Sequence, residues 1–494
     1  MAVTVLTNDP DVFLNDITLC EDATGWTGSS PAQYTEIFLQ GSACVSLICR
    51  AAGVHEQTYT PASAINFTDP HLRMRILSTV GPALKTKANG GIAFWASDGT
   101  NKGYWVVGGS DTYAGGWGNF VADMSAPVNL GTAPNLSAIT SLGVRFDKKW
   151  ATSNVVNFFV DCVRFGNGIT AYGDNGGSAF NLDDIIAIAE STANKYGIVD
   201  KDTVTGLYVF HGALKLGTSA NLASFAQLSS ILAFADIEAS NTLFKILGAG
   251  TSDIDFTGTF ITSAATRWTF DLDDSSLVSV ILDGATIQKT LYFRGGAAVS
   301  ADGTVFDDCN MLNPNSTQLN NFVVKNGAGA YGLYWPVSPN ISNGQFIDND
   351  RAVAHTVAGD VTYDNLTFSG NTYQAEYSGT GTLNIYTQNG GNVSQSEVLA
   401  SGGGTINVYN QRYKAFSGLP ENTEVRIRQG SYTLAHEQDV TGGTYTFYYD
   451  PDNDKPARAQ FTLPGYVFEP IDIYLDSNDQ TFPVTVKPDP SYIT

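Results

Sequence analysis

The fold of this chain is decided between residues 239 and 410 by eight short apolar runs: Ile254-Asp255-Phe256, Val280-Ile281-Leu282, Thr304-Val305-Phe306, Phe322-Val323-Val324, Gln345-Phe346-Ile347, Leu366-Thr367-Phe368, Leu383-Asn384-Ile385 and Ile406-Asn407-Val408. They recur roughly every 17 to 26 residues, the spacing of one strand per turn of a parallel β-solenoid. A single coil cannot bury its own apolar face, whereas stacked coils share one continuous core. A hairpin meander would instead place turn signals about every 8–12 residues. The sequence therefore predicts a parallel β-helix over residues 239–410.

The composition of the whole chain favours β structure. Of its 494 residues 43% are hydrophobic and 12% aromatic, whereas only 15% are charged, and 50 residues are glycine. Few charges together with abundant Gly, Asn, Thr and aromatic residues are typical of β-strands joined by tight turns. The length also exceeds what one hydrophobic core normally holds. We therefore predict a mainly β protein with several domains.

A formal net charge of −22, from 26 basic and 48 acidic residues, limits the partners. Nucleic-acid binding requires a basic patch, and an anionic membrane surface repels an acidic protein. The first residues lack the basic and apolar regions of a signal peptide, and no run of about 18 apolar residues could span a bilayer. The five cysteines form an odd, sparse set that is typical of reduced thiols. We expect a protein made in a cytosol, with no nucleic-acid partner, no membrane insertion and no cofactor.

Residues 1–175 are predicted to form a β-sandwich. Apolar and polar residues alternate in several of its runs, and Gly, Asp and Asn separate them. The segments that begin at Gly91 (Gly-Ile-Ala-Phe-Trp-Ala-Ser-Asp), at Gly103 (Gly-Tyr-Trp-Val-Val) and at Val155 (Val-Val-Asn-Phe-Phe-Val-Asp-Cys-Val-Arg-Phe-Gly) resemble jelly-roll domains of the concanavalin/laminin-G type. The resemblance implies that Asp161 ties a loop or rim in place and takes no part in chemistry.

One helix is predicted between Phe180 and Tyr196. Asn181 can cap its start, acidic residues occupy its first turn, and Gly197 can end it. Its apolar stripe would cover the open end of the solenoid, where apolar core and unpaired strand edges are otherwise exposed. We therefore assign residues 176–238 to a linker, this capping helix and the first irregular coils.

Residues 411–494 contain six alternating runs separated by turn residues, the pattern of a small immunoglobulin-like β-sandwich. The predicted core face consists of Val425, Ile427, Phe461, Leu463, Ile471 and Ile473. The predicted order of domains is thus jelly roll, capping helix, β-helix and immunoglobulin-like sandwich.

Carboxylate pairs are the catalytic possibility within the predicted solenoid. A glycosidase needs two carboxyl groups about 5–10 Å apart. Strand residues i and i+2 lie on one face about 6.5–7 Å apart, so Asp253 with Asp255, or Asp271 with Asp273, could form such a pair. Aspartate is equally a favoured turn residue, and the solenoid lacks the cluster of basic residues that lyases use against uronates. Glycoside hydrolase or lyase chemistry stays open, although a structural role for these residues is preferred.

A weak calcium motif occurs at Asp450, Asp452 and Asp454. It copies the first half of a calcium-binding loop but lacks the glycine at position six and the glutamate at position twelve. A solvated hairpin loop is the preferred interpretation, and we predict no metal site.

Three aromatic residues of the N-terminal domain, Trp105, Tyr113 and Trp117, are candidates for carbohydrate binding. Aromatic faces are suitable platforms for sugar rings, but the same side chains would also fill the core of a sandwich. Both interpretations remain open, and burial is preferred.

The predicted domain order resembles bacteriophage virion appendages such as tailspikes, tail or collar fibres and capsid-attached spikes. The resemblance implies a homotrimeric structural component of a virion, made in the cytoplasm of a bacterial host. It would contact other virion proteins and present its domains for particle assembly, stability or attachment to a host-cell surface glycan. Trimerisation would also cover apolar outer strands that would otherwise aggregate. Two alternatives remain, a tailspike-like polysaccharide depolymerase using the Asp pairs and a non-viral carbohydrate-binding or adhesin module.

Overall fold

The computed structural model describes residues 2–153, 158–234, 242–246, 252–263, 267–272, 278–296, 299–327, 331–336, 340–451 and 455–491. Strands make up 53% of the chain, and a β-solenoid of about 7 turns occupies residues 208–410, with sandwich-like sheets elsewhere. The predicted mainly β fold class is therefore confirmed. The chain divides into two compact units, Met1–Thr317 and Gln318–Thr494. Within the ranges given above, no helix has the length and apolar character needed to cross a membrane.

Two antiparallel six-stranded sheets form the N-terminal sandwich. The first sheet contains, in spatial order, Gly116–Asp123, His71–Ser78, Phe158–Gly166, Cys44–Leu47 and Ala32–Tyr34, with Leu14–Thr18 also paired to Phe158–Gly166. The second contains Leu130–Gly131, Lys102–Gly108, Ile92–Ser97, Ser141–Lys148, Gly53–Tyr59 and Trp26–Gly28. Strand alternation turns Leu142, Val144 and Phe146 into the space between the sheets, where all three are fully buried. Short 3-10 helices at Gly81–Ala83, Lys87–Asn89 and Leu136–Ala138 connect strands.

The α-helix Leu182–Ala189 begins with a capping box. The Asn181 side chain accepts a hydrogen bond from the backbone N–H of Asp184, and the Asp184 carboxylate accepts one from the backbone N–H of Asn181. The helix packs beside Thr4–Leu6 and Val199–Lys201, the first strands of two solenoid sheets. It ends at Ala189, well before the predicted Tyr196, because the backbone turns back there and the Tyr196 N–H bonds to the Ala189 carbonyl.

Within the unit Met1–Thr317, each solenoid coil contributes strands to stacked sheets whose solenoid strands pair in parallel. The first sheet contains Thr4–Leu6 (antiparallel to its neighbour), Gly168–Tyr172, Ala213–Leu216, Thr242–Ile246, Trp268–Asp271, Thr290–Arg294 and Leu312–Asn313. The second begins with Val199–Lys201 (antiparallel to its neighbour), Tyr208–Phe210, Ile231–Phe234, Phe260–Ser263, Thr286–Gln288 and Val305–Asp307. The third begins with Ser224–Ala226, Ser252–Asp255, Val278–Ile281 and Val299–Asp302. Buried aromatic side chains stack from coil to coil, as in Phe234 against Trp268 with ring centroids 4.6 Å apart.

The solenoid coils of the unit Gln318–Thr494 also form three sets of parallel strands. One set is Gln318–Asn320, Asn340–Ser342, Gly359–Asp364, Thr382–Gln388 and Thr405–Asn410. Another is Val323–Lys325, Gln345–Ile347 and Thr367–Ser369, and a third is Leu333–Tyr334, Arg351–His355, Tyr373–Tyr377 and Val398–Ala400. A 3-10 helix at Gln395–Glu397 precedes the last of these. Phe346 lies between Phe322 and Phe368, with ring centroids 5.6 and 5.2 Å away.

The C-terminal sandwich follows the last coil. One sheet contains Gly443–Tyr449, Arg412–Leu419 and Gln480–Pro483, and the other contains Tyr432–Val440, Thr423–Gln429, Pro456–Thr462 and Ile471–Tyr474. A separate pair is formed by Tyr466–Phe468 and Val486–Pro488. Of the predicted core face, Val425, Ile427, Phe461 and Ile473 are buried, Ile471 packs against them, and Leu463 is half-buried.

Candidate functional site

Three consecutive solenoid strands in the C-terminal unit present matching polar and aromatic rows to the outside. The strands Gly359–Asp364, Thr382–Gln388 and Thr405–Asn410 pair in parallel and in register. Strand alternation buries Tyr363, Leu383 and Ile385, and it turns the residues between them outward. Residues at equal height therefore line up from one strand to the next across an open face.

The first row is a ladder of side-chain amides that begins at a carboxylate. Asn384 Nδ2 donates to Asp360 Oδ1 at 2.7 Å, and Asn407 Nδ2 donates to Asn384 Oδ1 at 2.9 Å. These bonds fix the orientation of both amides. The Asp360 Oδ2 and Asn407 Oδ1 oxygens accept no hydrogen bond from any described residue, so both can accept one from a ligand.

The second row contains Thr362, Tyr386 and Tyr409 at one height. The two tyrosine rings lie nearly parallel, with centroids 4.9 Å apart and an interplanar angle of 14°. Desolvation, followed by the nearby charge of Asp360, raises the pKa of Tyr386, so the phenol stays neutral at physiological pH. The row gives the face a half-buried aromatic strip between polar side chains.

A groove of about 450 Å³ adjoins these rows. Trp335, Val357, Asp360, Thr362 and Asp364 are among its lining residues. The Trp335 ring packs on Tyr363, with ring centroids 4.9 Å apart. The lining of the groove therefore includes an indole ring that packs on a buried tyrosine.

Two buried side chains at the groove, His355 and Tyr363, are uncharged. His355 also lines the groove, and its Nε2 forms a 2.7 Å hydrogen bond with the hydroxyl of Tyr363. Burial lowers the pKa of His355 to about 3, and burial likewise raises the pKa of Tyr363 far above its ordinary value. Both side chains are therefore neutral over the physiological pH range.

The face is suited to binding a neutral sugar polymer. Aromatic rings offer flat apolar faces, and fixed amides and carboxylates offer acceptors for hydroxyl groups. The residues that line the groove include no Lys or Arg, whereas two of them are aspartates. Asp360 and Asp364 are four residues apart on one strand, or about 13 Å, which exceeds the separation of a glycosidase pair. The arrangement thus favours binding over hydrolysis.

The predicted catalytic candidates lie elsewhere in the solenoid. Asp253 and Asp255 share one face of the strand Ser252–Asp255, and Asp255 Oδ1 accepts hydrogen bonds from the N–H and hydroxyl of Thr257 at 2.8 and 2.6 Å. Asp271 belongs to a different sheet, where its Oδ1 lies 3.9 Å from Arg294 Nη1. Asp273 lies outside the described residues. The structure therefore brings together one of the two predicted pairs, Asp253 with Asp255, and in that pair Asp255 is engaged in hydrogen bonds to Thr257.

The predicted aromatic candidates belong to the N-terminal sandwich. Trp105 and Tyr113 are buried in its core, at 4% and 8% exposure, and Trp117 is half-buried. On the strand Lys102–Gly108, Tyr104 is the side chain that faces outward, and its hydroxyl donates to Glu56 at 2.7 Å. The outward ring is thus one residue away from the predicted Trp105.

The predicted calcium loop is described only in part. Asp450 is exposed in a turn, and Asp452 and Asp454 lie outside the described residues. Among the residues that the structure does describe, no group of three or more His, Cys, Asp and Glu side chains is placed to hold a metal ion.

Sequence inspection missed the outward rows, although a signal for them exists. The pattern Asn-x-Tyr-x-Gln occurs at Asn384, Tyr386 and Gln388 and again 23 residues later at 407, 409 and 411. The two glutamines continue the pairing, since Gln388 Nε2 donates to Gln411 Oε1 at 2.9 Å. A polar motif that repeats at the coil period marks outward positions, because the positions between them carry the apolar core residues.

No protein-family model matches the chain, and no curated protein matches it. Similar solved structures include an exo-β-agarase (12% identity, TM-score 0.24), where the match covers 31% of this chain and 24% of that one. The family 11 carbohydrate-binding module of Clostridium thermocellum, in complex with a β-1,3-1,4-mixed-linked tetrasaccharide, matches at 11% identity and TM-score 0.23 over 31% of this chain and 95% of the module. The CBM22-1 xylan-binding domain of Paenibacillus barcinonensis matches at 12% identity and TM-score 0.20, over 31% and 92%. Such low scores carry no argument, so the function is argued from the chain's own residues.

Proposed function

We propose that this protein is an attachment component of a bacteriophage particle that binds a neutral polysaccharide of the host surface. The face formed by the amide row, the tyrosine row and the adjoining groove carries the proposal. Parallel strands about 4.8 Å apart repeat the same side chains from coil to coil, which suits a ligand that is itself a repeating chain. The aspartates of the groove would repel a polyanion, so the proposed ligand is uncharged.

Other features of the chain support its place in a particle. The order of sandwich, solenoid and second sandwich resembles virion appendages, and the five cysteines are free and buried, as expected for synthesis in a reducing cytoplasm. Leu222, Leu228 and Ile231 on early coils are 38%, 52% and 48% exposed, and we propose that a homotrimer covers them. Light scattering tests the trimer, because a mass near 52.7 kDa would exclude it.

The binding experiment compares the native protein with the double variant Tyr386→Ala/Tyr409→Ala. Purified host-surface polysaccharides, both neutral and acidic, are titrated by affinity electrophoresis. Loss of two stacking rings is worth about 1–3 kcal/mol, so Kd should rise roughly tenfold to a hundredfold. Tyr432→Ala is the matched control, because Tyr432 is 75% exposed and lies in the C-terminal sandwich. Unchanged binding by the double variant would refute the assignment of this face.

The same polysaccharides test the depolymerase alternative. Under the proposal, incubation with the native protein releases no reducing ends. Release of oligosaccharides that is abolished by Asp253→Asn or Asp255→Asn would establish hydrolysis at the strand Ser252–Asp255 and replace simple attachment as the function.

A further inference from the structure

A second groove, of about 400 Å³, opens on the outer face of the C-terminal sandwich. Its lining includes Glu424, Arg426, Arg428, Gln460, Thr462 and Phe468. These residues belong mainly to the paired strands Thr423–Gln429 and Pro456–Thr462, whose opposite face forms the core of the domain. The groove is independent of the solenoid face described above.

The arginines around this groove differ in their pairing. Arg426 Nη2 lies 2.6 Å from Glu424 Oε1, and Arg458 donates to Asp472 through Nε at 2.5 Å and Nη2 at 2.9 Å. The Arg428 side chain forms no ion pair or hydrogen bond with any described residue. Its Nε is also shielded from solvent without a partner. Arg428 therefore lacks the carboxylate partner that Arg426 and Arg458 each have, and its half-buried side chain lines the groove.

The position of Arg428 in the sheet adds to this deficit. Its Cα partner on the neighbouring strand is Arg458, and like charges directly opposite on an antiparallel pair destabilise the sheet. Glu424 lies four residues away on the same strand, or about 13 Å, and its Oε1 is shared between Arg426 and His436 Nε2 at 2.8 Å. The chain has 48 acidic residues against 26 basic ones, yet none of the described acidic residues pairs with Arg428.

We propose that Arg428 binds the carboxylate of an acidic sugar residue in this groove. The planar guanidinium fork matches a carboxylate with two parallel hydrogen bonds, which its two terminal Nη groups can supply. Gln460 and Thr462 lie on the same face and can bond to sugar hydroxyls, while Phe468 supplies an apolar wall. The Phe468 ring is itself backed by Phe461, with ring centroids 6.0 Å apart. The chemical class of the ligand is therefore a uronic acid, which differs from the neutral glycan proposed for the solenoid.

The test measures binding of glucuronate, polygalacturonate, glucose and inorganic phosphate to the full chain by isothermal titration and ligand-observed NMR. We expect glucuronate to bind and glucose not to bind. Arg428→Gln should weaken glucuronate binding at least tenfold, and Arg428→Lys should also weaken it, because lysine keeps the charge but loses the fork. Arg458→Gln is the matched control: it removes the same charge from the neighbouring strand and should change Kd less than twofold.

Several results would overturn the proposal. Equal losses in Arg428→Gln and Arg458→Gln would show a diffuse charge effect instead of a site. Binding of glucose as tight as that of glucuronate would exclude carboxylate recognition, and tighter binding of inorganic phosphate would show a simple oxyanion site in place of a sugar site. Thermal unfolding of each variant shows that the domain is intact. The double variant Tyr386→Ala/Tyr409→Ala should retain glucuronate binding, so failure of one proposal does not imply failure of the other.

Discussion

Replacement of Asp161 by alanine tests how the N-terminal sandwich holds its long loop. Asp161 is fully buried, and its Oδ2 accepts hydrogen bonds from the backbone N–H groups of Leu39 and Gln40 at 2.8 and 3.0 Å. Its Oδ1 accepts a third from the N–H of Cys162 at 2.8 Å. Cys162 has a φ of 54°, so this last bond also stabilises a left-handed residue within a strand. One carboxylate thus fastens a loop and a bulge.

The expected magnitude follows from these three bonds. Each buried donor left without an acceptor costs about 1–3 kcal/mol, and the Leu39 N–H is close enough to the surface to recover a water. We therefore expect Asp161→Ala to lower the free energy of unfolding of the sandwich by about 3–5 kcal/mol. Asp161→Asn should cost less, about 1–2 kcal/mol, because its amide oxygen still accepts one or two of the bonds.

The pKa of Asp161 supplies a second, pH-dependent expectation. Burial raises this pKa, although three hydrogen bonds from backbone N–H groups and one from the Cys162 side chain oppose the shift. A carboxyl group with a raised folded-state pKa contributes stability at low pH that is lost as pH rises through that pKa. The advantage of the native protein over Asp161→Asn should therefore grow as the pH falls through this raised pKa toward the ordinary value of an aspartate.

Hydrogen exchange is the suitable assay, because a chain with several domains does not unfold in two states. A loss of 3 kcal/mol corresponds to a roughly hundredfold loss of protection at the amides of Leu39 and Gln40. Peptides from the C-terminal unit should exchange as in the native protein. Equal protection of Leu39 and Gln40 in the alanine variant and the native protein would refute the reasoning.

Three further outcomes are expected. Although burial opposes it, hydrogen bonding from His211 and the charge of Arg75 lower the pKa of Asp200, so this group stabilises the fold above its ordinary pKa and the contribution is lost as the pH falls below that value. In Asp200→Asn the urea midpoint should therefore fall less steeply than in the native protein as the pH drops below about 4. Burial raises the pKa of Cys44 to about 12, so a thiol reagent at neutral pH should label it only after urea is added, and fast labelling of the native protein would contradict its burial. Phe346→Ala removes the middle ring of a buried stack and should lower the free energy of unfolding by about 3–5 kcal/mol. The loss should appear as reduced hydrogen-exchange protection in the coil of Phe346 and in the adjacent coils, and unchanged protection would argue against a shared core.

The periodic part of the solenoid could be predicted because each apolar run contains an inward residue. Ile254, Val280, Phe346 and Ile385 all lie in predicted runs and are all buried. The first coils, such as the one that contains the strand Tyr208–Phe210, were predicted only as irregular coils. In the sandwich, Gly53–Tyr59 escaped notice because its burial is mostly partial and its sequence mostly polar. Periodicity identifies strands only where one face is consistently apolar.

The site could be predicted less well than the fold. Whether Tyr104 or Trp105 faces outward depends on strand phase, and a shift of one residue exchanges the two faces. The outward rows at Asn384 and Tyr386 are visible as a repeat, but Trp335 and Arg428 carry no such signal. The side chains that surround Trp335 and Arg428 belong to other strands, and the sequence alone does not show which strands lie next to each other.

The two proposed sites should respond differently to salt, because only the groove at Arg428 binds its ligand through a charge pair. Binding of a uronate at Arg428 depends on a charge pair that partly faces solvent, so added salt screens it and weakens binding. Binding of a neutral glycan by Tyr386 and Tyr409 relies on ring stacking and hydrogen bonds, which salt leaves nearly unchanged. An acidic polysaccharide that approaches the solenoid face also meets Asp360 and Asp364, and salt would reduce that repulsion. Two results would therefore locate the acidic ligand on the sandwich, independently of the solenoid face. The affinity of the native chain for an acidic polymer should fall as salt is added, and Arg428→Gln should abolish that affinity.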